Sequence, residues 1–466
     1  MSILRSTMLV IVLLEGQFVL GQDTPSQGDD SRPTPAPALS GIMGVDSAVP
    51  EEDTSSQLPQ IPAVLGGPRN TLAFTSEMER SNYLRGGINV GGTYDDNSLL
   101  TPTNAQTNTT YSFFPNIRME QSRPRARWTL GYAAGVTVNQ RFTSRNQGSH
   151  DLSFDAQFRL SPHVSARVAE GFQLTTGFFD SGIGTGGVGS GGPNGGLITP
   201  LAKQRSSSTV GEIDYHFALN DLVGASGSFY DLHYTDTQGQ TSLVDSRAAS
   251  ASAFWLHRLF ADDWAGISYR FDRLTFDPNG VTRVHSFMVV NTLTLPRRFS
   301  ISGYVGPEYA DNRGLIPGAE ESSSFSSWSV AGGVEAGWQK ERTSLAAGYS
   351  RRISDGHGVL GVVRVQGLHG ELRQELFPGW TVGVNASHGI NDSLTVPFAG
   401  SARKINATSA GVSLERNIGR SLGLRLGYEH DFQEQIGTSE SELEGVAHRN
   451  RFVVTLGYQW SKALGR

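Results

Sequence analysis

From about residue 85 to its end the chain repeats one pattern, in which apolar side chains alternate with polar or small ones over segments of roughly ten residues. "ARWTLGYAAGVTVNQ" sets Trp128, Leu130, Tyr132, Ala134, Val136 and Val138 against Thr129, Gly131, Ala133, Gly135, Thr137 and Asn139. "SLGLRLGYEHDF" and the closing "RFVVTLGYQW" do the same. Successive side chains of an extended strand point to opposite faces, so each segment is a strand with one apolar and one polar face. A length of about ten residues is what a tilted strand needs to cross a bilayer.

The connections between these segments alternate in length. Short ones such as "SRPR", "LSPH", "ALND" and "LFPGW" are separated by longer polar ones such as "SLLTPTNAQTNTT", "TDTQGQTSL" and "QEQIGTSESELE". Short turns at one end and long loops at the other are the signature of a transmembrane antiparallel up-and-down β-barrel. The segments number about 18, with 16 as the alternative, and the short turns are expected to face the periplasm. The seven tryptophans fall at segment ends: Trp128, Trp264 and Trp380 open strands at the short-turn end, Trp255, Trp338 and Trp460 close them there, and Trp328 lies at the other end. Tryptophan collects where a barrel meets the membrane–water boundary. A β-sandwich would have comparable loops at both ends, and a solenoid a fixed repeat; the chain shows neither. Two segments fit poorly: "HSFMVVNTLTL" is apolar on both faces, and Glu170 falls on the lipid face of its strand.

The rest of the chain divides simply. Residues 1–21, with Arg5, the apolar "MLVIVLL" and small residues before Gln22, are expected to be a signal peptide. Residues 22–75 hold eight of the 20 prolines and seven acidic residues against two basic ones. Such a segment buries too little apolar area to order itself and is expected to be a disordered periplasmic extension. Residues 76–466 are then the barrel. Of the net charge of −6, the extension carries five units, so the barrel is nearly neutral and no basic nucleic-acid-binding face is indicated. The absence of cysteine removes disulfides, thiolate metal sites and cysteine nucleophiles.

The last strand carries a family mark. "TLGYQW", with Thr455, Gly457 and Trp460 after alternating apolar residues, resembles the C-terminal assembly signal of bacterial outer-membrane barrels, although "SKALGR" follows it. "NVGGTYDDN" and "SFFPNIRMEQSRPRARWTLGY" are similar to a poorly characterised group of porin-like barrels from Gram-negative bacteria. The resemblance implies recognition by the barrel-assembly machinery and a place in the outer membrane, in contact with its lipid, and no particular substrate.

A barrel of this size leaves a channel unless something fills it. The expected function is therefore passive diffusion of small polar solutes; the alternatives are a non-conducting structural or envelope-anchoring barrel, or a polysaccharide export channel. Alternation places Asp155, Arg159, Arg167, Glu212, Asp214, Arg270, Asp272, Glu335, Arg364, Arg425 and Glu429 in the lumen. They would act either as a transverse field on solutes or as wall ion pairs. The longest connection, Phe178 to Arg205, contains "GIGTGGVGSGGPNGG" and is either a constriction folded into the lumen or an extracellular loop.

No enzyme activity, cofactor or metal is expected. Asp95, Asp96, Asp231 and His233 resemble the acidic and Asp-x-His groups of outer-membrane aspartyl-type proteases, but polar strand tips are common. Ser387, His388 and Asn391 have the residue types of a barrel phospholipase, yet adjacent Ser387 and His388 point to opposite faces. Glu429, His430 and Asp431, or Glu308, could hold calcium at the outer rim; alternation splits such ligands between faces, which favours solvated charge.

Overall fold

The computed structural model describes residues 82–464 except 176–201, 237–242, 261–262, 277–279, 296–298, 316–321, 357–360, 395–403, 420 and 437–444. The segment expected to be a signal peptide, the Pro-rich segment expected to be disordered and most of the Gly-rich Phe178–Arg205 connection lie outside the described residues.

Eighteen strands follow one another in chain order. The first nine are β1 (Tyr83–Asp95), β2 (Asn108–Arg123), β3 (Ala126–Asn139), β4 (Gln147–Arg159), β5 (Val164–Thr175), β6 (Lys203–Ala218), β7 (Asp221–Asp236), β8 (Ser246–Phe260) and β9 (Asp263–Phe276). The second nine are β10 (Gly280–Leu295), β11 (Phe299–Leu315), β12 (Ser322–Lys340), β13 (Thr343–Ser354), β14 (Val363–Phe377), β15 (Trp380–Ser393), β16 (Lys404–Ile418), β17 (Leu422–Ile436) and β18 (Gly445–Ala463). Each pairs antiparallel with its chain neighbour, and β1 pairs with β18 from Tyr83↔Ala463 to Asp95↔Arg451. The sheet therefore closes on itself, β1 against β18. The 18-stranded antiparallel barrel expected from the alternation is the fold.

The registers assign every side chain to a face. Ile88, Val90, Phe113, Ile117, Leu130, Val136, Ile213, Val289, Val305, Leu368, Leu426, Phe452, Val454 and Leu456 all point outward and are exposed. Their cross-strand partners keep the parity: Leu426↔Val454 and Tyr428↔Phe452 join β17 to β18, and Tyr94↔Phe452 and Val90↔Leu456 join β18 to β1. Apolar outside and polar inside is the inverse of a soluble sheet. Tyr132, Tyr269, Tyr309, Trp328 and Tyr428 lie on this outer face.

Six of the seven tryptophans face outward. Trp264 does not: it shares its parity with Ser268 and Arg270 and is buried inside the barrel. There it packs with Leu222, Phe254, Leu256, Met288, Val290 and Ala331, with Tyr304 against the cluster. The same cluster explains the two-faced apolar strand, since Met288 and Val290 of β10 belong to it while Phe287 and Val289 face out. The barrel wall is creased here. A Cβ on Gly266 would run into the Trp255 carbonyl, and one on Gly306 into the Phe287 carbonyl. Only glycine permits backbones to approach so closely. Part of the chain's glycine content, 56 of 466 residues, is spent on such bends.

Candidate functional site: the lumen wall and its inward hairpin

The lumen is lined by interleaved charges of both signs. Asp155 on β4 is bridged by Arg167 on β5, whose Nε donates to Oδ2 at 2.8 Å. Arg270 and Asp272 sit two residues apart on β9 and are bridged at 2.8 Å, with the Ser250 hydroxyl donating to Asp272 at 2.5 Å. Arg425 approaches Glu415 at 3.4 Å, and Arg373 reaches the same carboxylate at 3.5 Å. Arg85 and Arg118 both reach Glu120, at 3.6 and 2.9 Å.

The densest group lies on β17 and β18. Register places Glu429 opposite Arg451 and Asp431 opposite Arg449. Arg451 bridges Glu429 at 2.6 Å and Asp431 at 3.3 Å, Arg449 bridges Asp431 at 2.8 Å, and the Ser409 hydroxyl donates to Glu429 at 2.9 Å. Both arginine side chains are only 3% exposed, and the carboxylates 8% and 1%. Buried charges of this kind survive only when paired and hydrogen-bonded, as here. The carboxylates considered as calcium ligands are thus held by guanidinium groups, and His430 points away from them to the outer face, where its Nδ1 lies 2.9 Å from Asn450.

Ten of the eleven charged residues expected in the lumen have inward parity: Asp155, Arg159, Arg167, Glu212, Asp214, Arg270, Asp272, Glu335, Arg425 and Glu429. Arg364 is the exception. On β14 it alternates with Val363 and Val365 and shares its face with outward Leu368 and Leu372. At that height, however, the strand has left the wall: Arg364 is the register partner of Ile353, which packs inside the barrel, so its parity with Leu368 does not put it on the outer surface. The same parity also places Arg85, Arg118, Glu120, Glu371, Arg373, Glu415, Asp431, Arg449 and Arg451 on this face, none of which stood out in the alternation. The residues expected to form an assembly signal divide: Thr455 and Gly457 point inward, and Trp460 outward.

The connection that enters the lumen among the described residues joins β13 to β14. β12 pairs with β13 only as far as Gly332↔Arg351, although β12 continues to Ser322. Beyond Arg351 the hairpin leaves the wall and crosses the interior. Ile353 and Val362 pack with Leu274 and Phe276 of β9, Val284 of β10 and Ala310 of β11. The Ile353 amide donates to Glu308 at 3.3 Å, and the Ser246 hydroxyl of β8 donates to Asp355 at 3.2 Å. The hairpin therefore spans from β13 to β8 across the long-loop end. At the same end of the β1–β18 seam, Asn97 donates to the His448 carbonyl at 3.0 Å and Leu100 is buried.

The groups with an enzymatic resemblance do not converge. Asp95 faces inward on β1, whereas Asp231 and His233 face outward on β7, six strands away. Asp231 is held by Arg205 and Arg247, and His233 by Asp245. Ser387 points inward and His388 outward, the latter 2.9 Å from the Thr408 hydroxyl. Among the described residues no group of three or more His, Asp or Glu is placed to hold a metal ion.

Fold and lining together define a class: a large closed β-barrel, apolar outside, whose interior carries paired charges around the wall and an apolar cluster on β7 to β12. No protein-family model matches the chain, and no curated protein does. Among solved structures, the ferric citrate transporter FecA in its unliganded form is 8% identical, with a TM-score of 0.43 over 82% of this chain and 79% of that one. OccAB1 of Acinetobacter baumannii is 10% identical, TM-score 0.42, over 83% and 100%. OccK2 (OpdF) of Pseudomonas aeruginosa is 10% identical, TM-score 0.41, over 82% and 98%. Likenesses of this size add nothing to what the strand pairing itself establishes.

Proposed function

We propose that the chain is an outer-membrane channel for the passive diffusion of small polar solutes, narrowed by its β13–β14 hairpin. The observation that carries this reading is the inverted alternation of the closed 18-stranded sheet. A surface with apolar side chains on every strand is stable in lipid, and the polar lumen supplies water and solutes with hydrogen-bonding partners. The short-turn end then faces the periplasm and the long-loop end the outside. Mixed charges on the wall favour polar solutes without a strong preference for one sign.

A non-conducting barrel is the second reading, favoured by the burial of Glu429, Asp431, Arg449 and Arg451 and by the apolar packing of the hairpin tip. Both predict heat-modifiable migration on gels and outer-membrane fractionation. Reconstitution into planar bilayers separates them: discrete ion-conducting steps support the channel, and a folded barrel that passes no current sinks it.

A further inference from the structure

On the outer face, at the long-loop end of β6 to β10, the apolar surface gives way to arginine. Arg205, Arg247, Arg273 and Arg283 all have outward parity and are exposed, Arg247 to 70% and Arg205 to 44%. The half of this patch on β6 to β8 is internally balanced, since Asp231 accepts from Arg247 at 2.7 Å and lies 3.8 Å from Arg205, and Asp245 pairs with His233. The other half is not. Arg273 and Arg283 are direct cross-strand partners, and among the described residues neither has an ion-pair partner. Asp311 stands opposite Arg283 in register on its other side and has an interaction of its own. Like charges directly opposed on a sheet are destabilising, and an anion bound between them would remove that cost.

The surroundings fit a lipid anion. Immediately toward the barrel's middle lie Phe271 and His285, then Tyr269, whose hydroxyl is 2.8 Å from His285 Nδ1, and Phe287. Beside them, Ala249, Ala251 and Ala253 of β8 form an exposed, low-relief column flanked by Phe271 and Tyr269. Guanidinium forks match phosphate oxygens two at a time, and the alanine column leaves room for an acyl chain. Resting on the outer-membrane reading above, we infer that Arg273 and Arg283, with Arg247 at the edge, bind the phosphorylated headgroup of a glycolipid in the outer leaflet, its chain lying along Ala249–Ala253.

The experiment uses the full barrel in detergent with four probes: a bis-phosphorylated glucosamine lipid, its dephosphorylated form, phosphatidylglycerol and inorganic phosphate. Native mass spectrometry counts bound lipid, and thermal unfolding reads its effect. The bis-phosphorylated lipid should bind at least about tenfold more tightly than the others, and the double variant R273Q/R283Q should lose that margin. The control R416Q/K462Q, at the opposite end of the barrel, should retain it. Without anionic lipid, R283Q should unfold at a higher temperature than the parent; with it, at a lower one. Equal affinity for phosphatidylglycerol, binding of inorganic phosphate alone, an unchanged margin in R273Q/R283Q, or dimerisation through this face would overturn the inference. Heat-modifiable migration and bilayer conductance, measured on the same preparation, tell a failed lipid site from a failed barrel, since loss of both removes the membrane reading first.

Discussion

The Ser246 hydroxyl donates to the Asp355 carboxylate at 3.2 Å, joining the start of β8 to a hairpin tip that began on β13. Four strands, β9 to β12, lie between the two along the wall, so this bond is a chord across the interior. It sets the first prediction. Replacing the tip by joining Arg351 to Gln366, which are register partners, through a two-residue Asn-Gly turn keeps the hairpin in the wall. Single-channel conductance should rise. An unchanged step size would show that the hairpin does not narrow the passage.

Arg451 carries two carboxylates in a nearly dry site. Arg451→Met leaves Glu429 and Asp431 with only Arg449 and Ser409 for company, and removing one partner of a buried ion pair costs roughly 3–5 kcal/mol. Urea titration of the refolded barrel should show that loss, while Arg85→Met, at a partly exposed bridge, should stay within about 1 kcal/mol.

Trp264 is buried in the apolar cluster inside the barrel. Trp264→Ala should destabilise the barrel by about 3–5 kcal/mol, as expected for a large buried aromatic residue. Trp328, at 72% exposure on the outer surface, should tolerate alanine far better in detergent. Tryptophan quenching by brominated lipid provides a second measurement: Trp328 should be quenched and Trp264 protected.

Trp460 lies over Gly86 at the seam where β18 meets β1, in the space a side chain on Gly86 would need. Gly86→Val should displace the indole and slow closure of the barrel, read as a longer-lived heat-sensitive band during refolding. Gly92→Val, on the same strand with open space around its Cβ position, should refold like the parent.

Much of this molecule was legible from alternation alone. Strand number, closure order and the facing of ten charged residues follow from a period of two, because one parity choice on one strand propagates through every neighbour in register. Arg364 differs from those ten because β14 leaves the wall at its upper end, where Val363 and Val365 beside it are buried. Trp264 escaped for a related reason: composition marks an aromatic residue as membrane-facing, but an interior with its own apolar cluster accepts one equally well. Glu170 is the opposite case. It does face outward, with no register shift on either side, and the Thr209 hydroxyl donates to it at 2.8 Å. The inward hairpin had no signal at all in "SRRISDGHGVL", since its placement depends on β12 outlasting β13, a tertiary fact.

The apolar cluster of β7 to β12 and the charged groups of β17 and β18 occupy opposite sides of the ring. Where the cluster meets the passage, a crossing solute therefore has a more apolar surface on one side than on the other, even though the Arg270–Asp272 pair also lies on β9. An amphipathic molecule would lower its free energy by holding one orientation as it moves, so translation and rotation become coupled. A uniformly polar molecule of equal size has no such preference, and comparing the permeation rates of such a pair would show whether the barrel filters by shape alone or by the arrangement of charge within the solute.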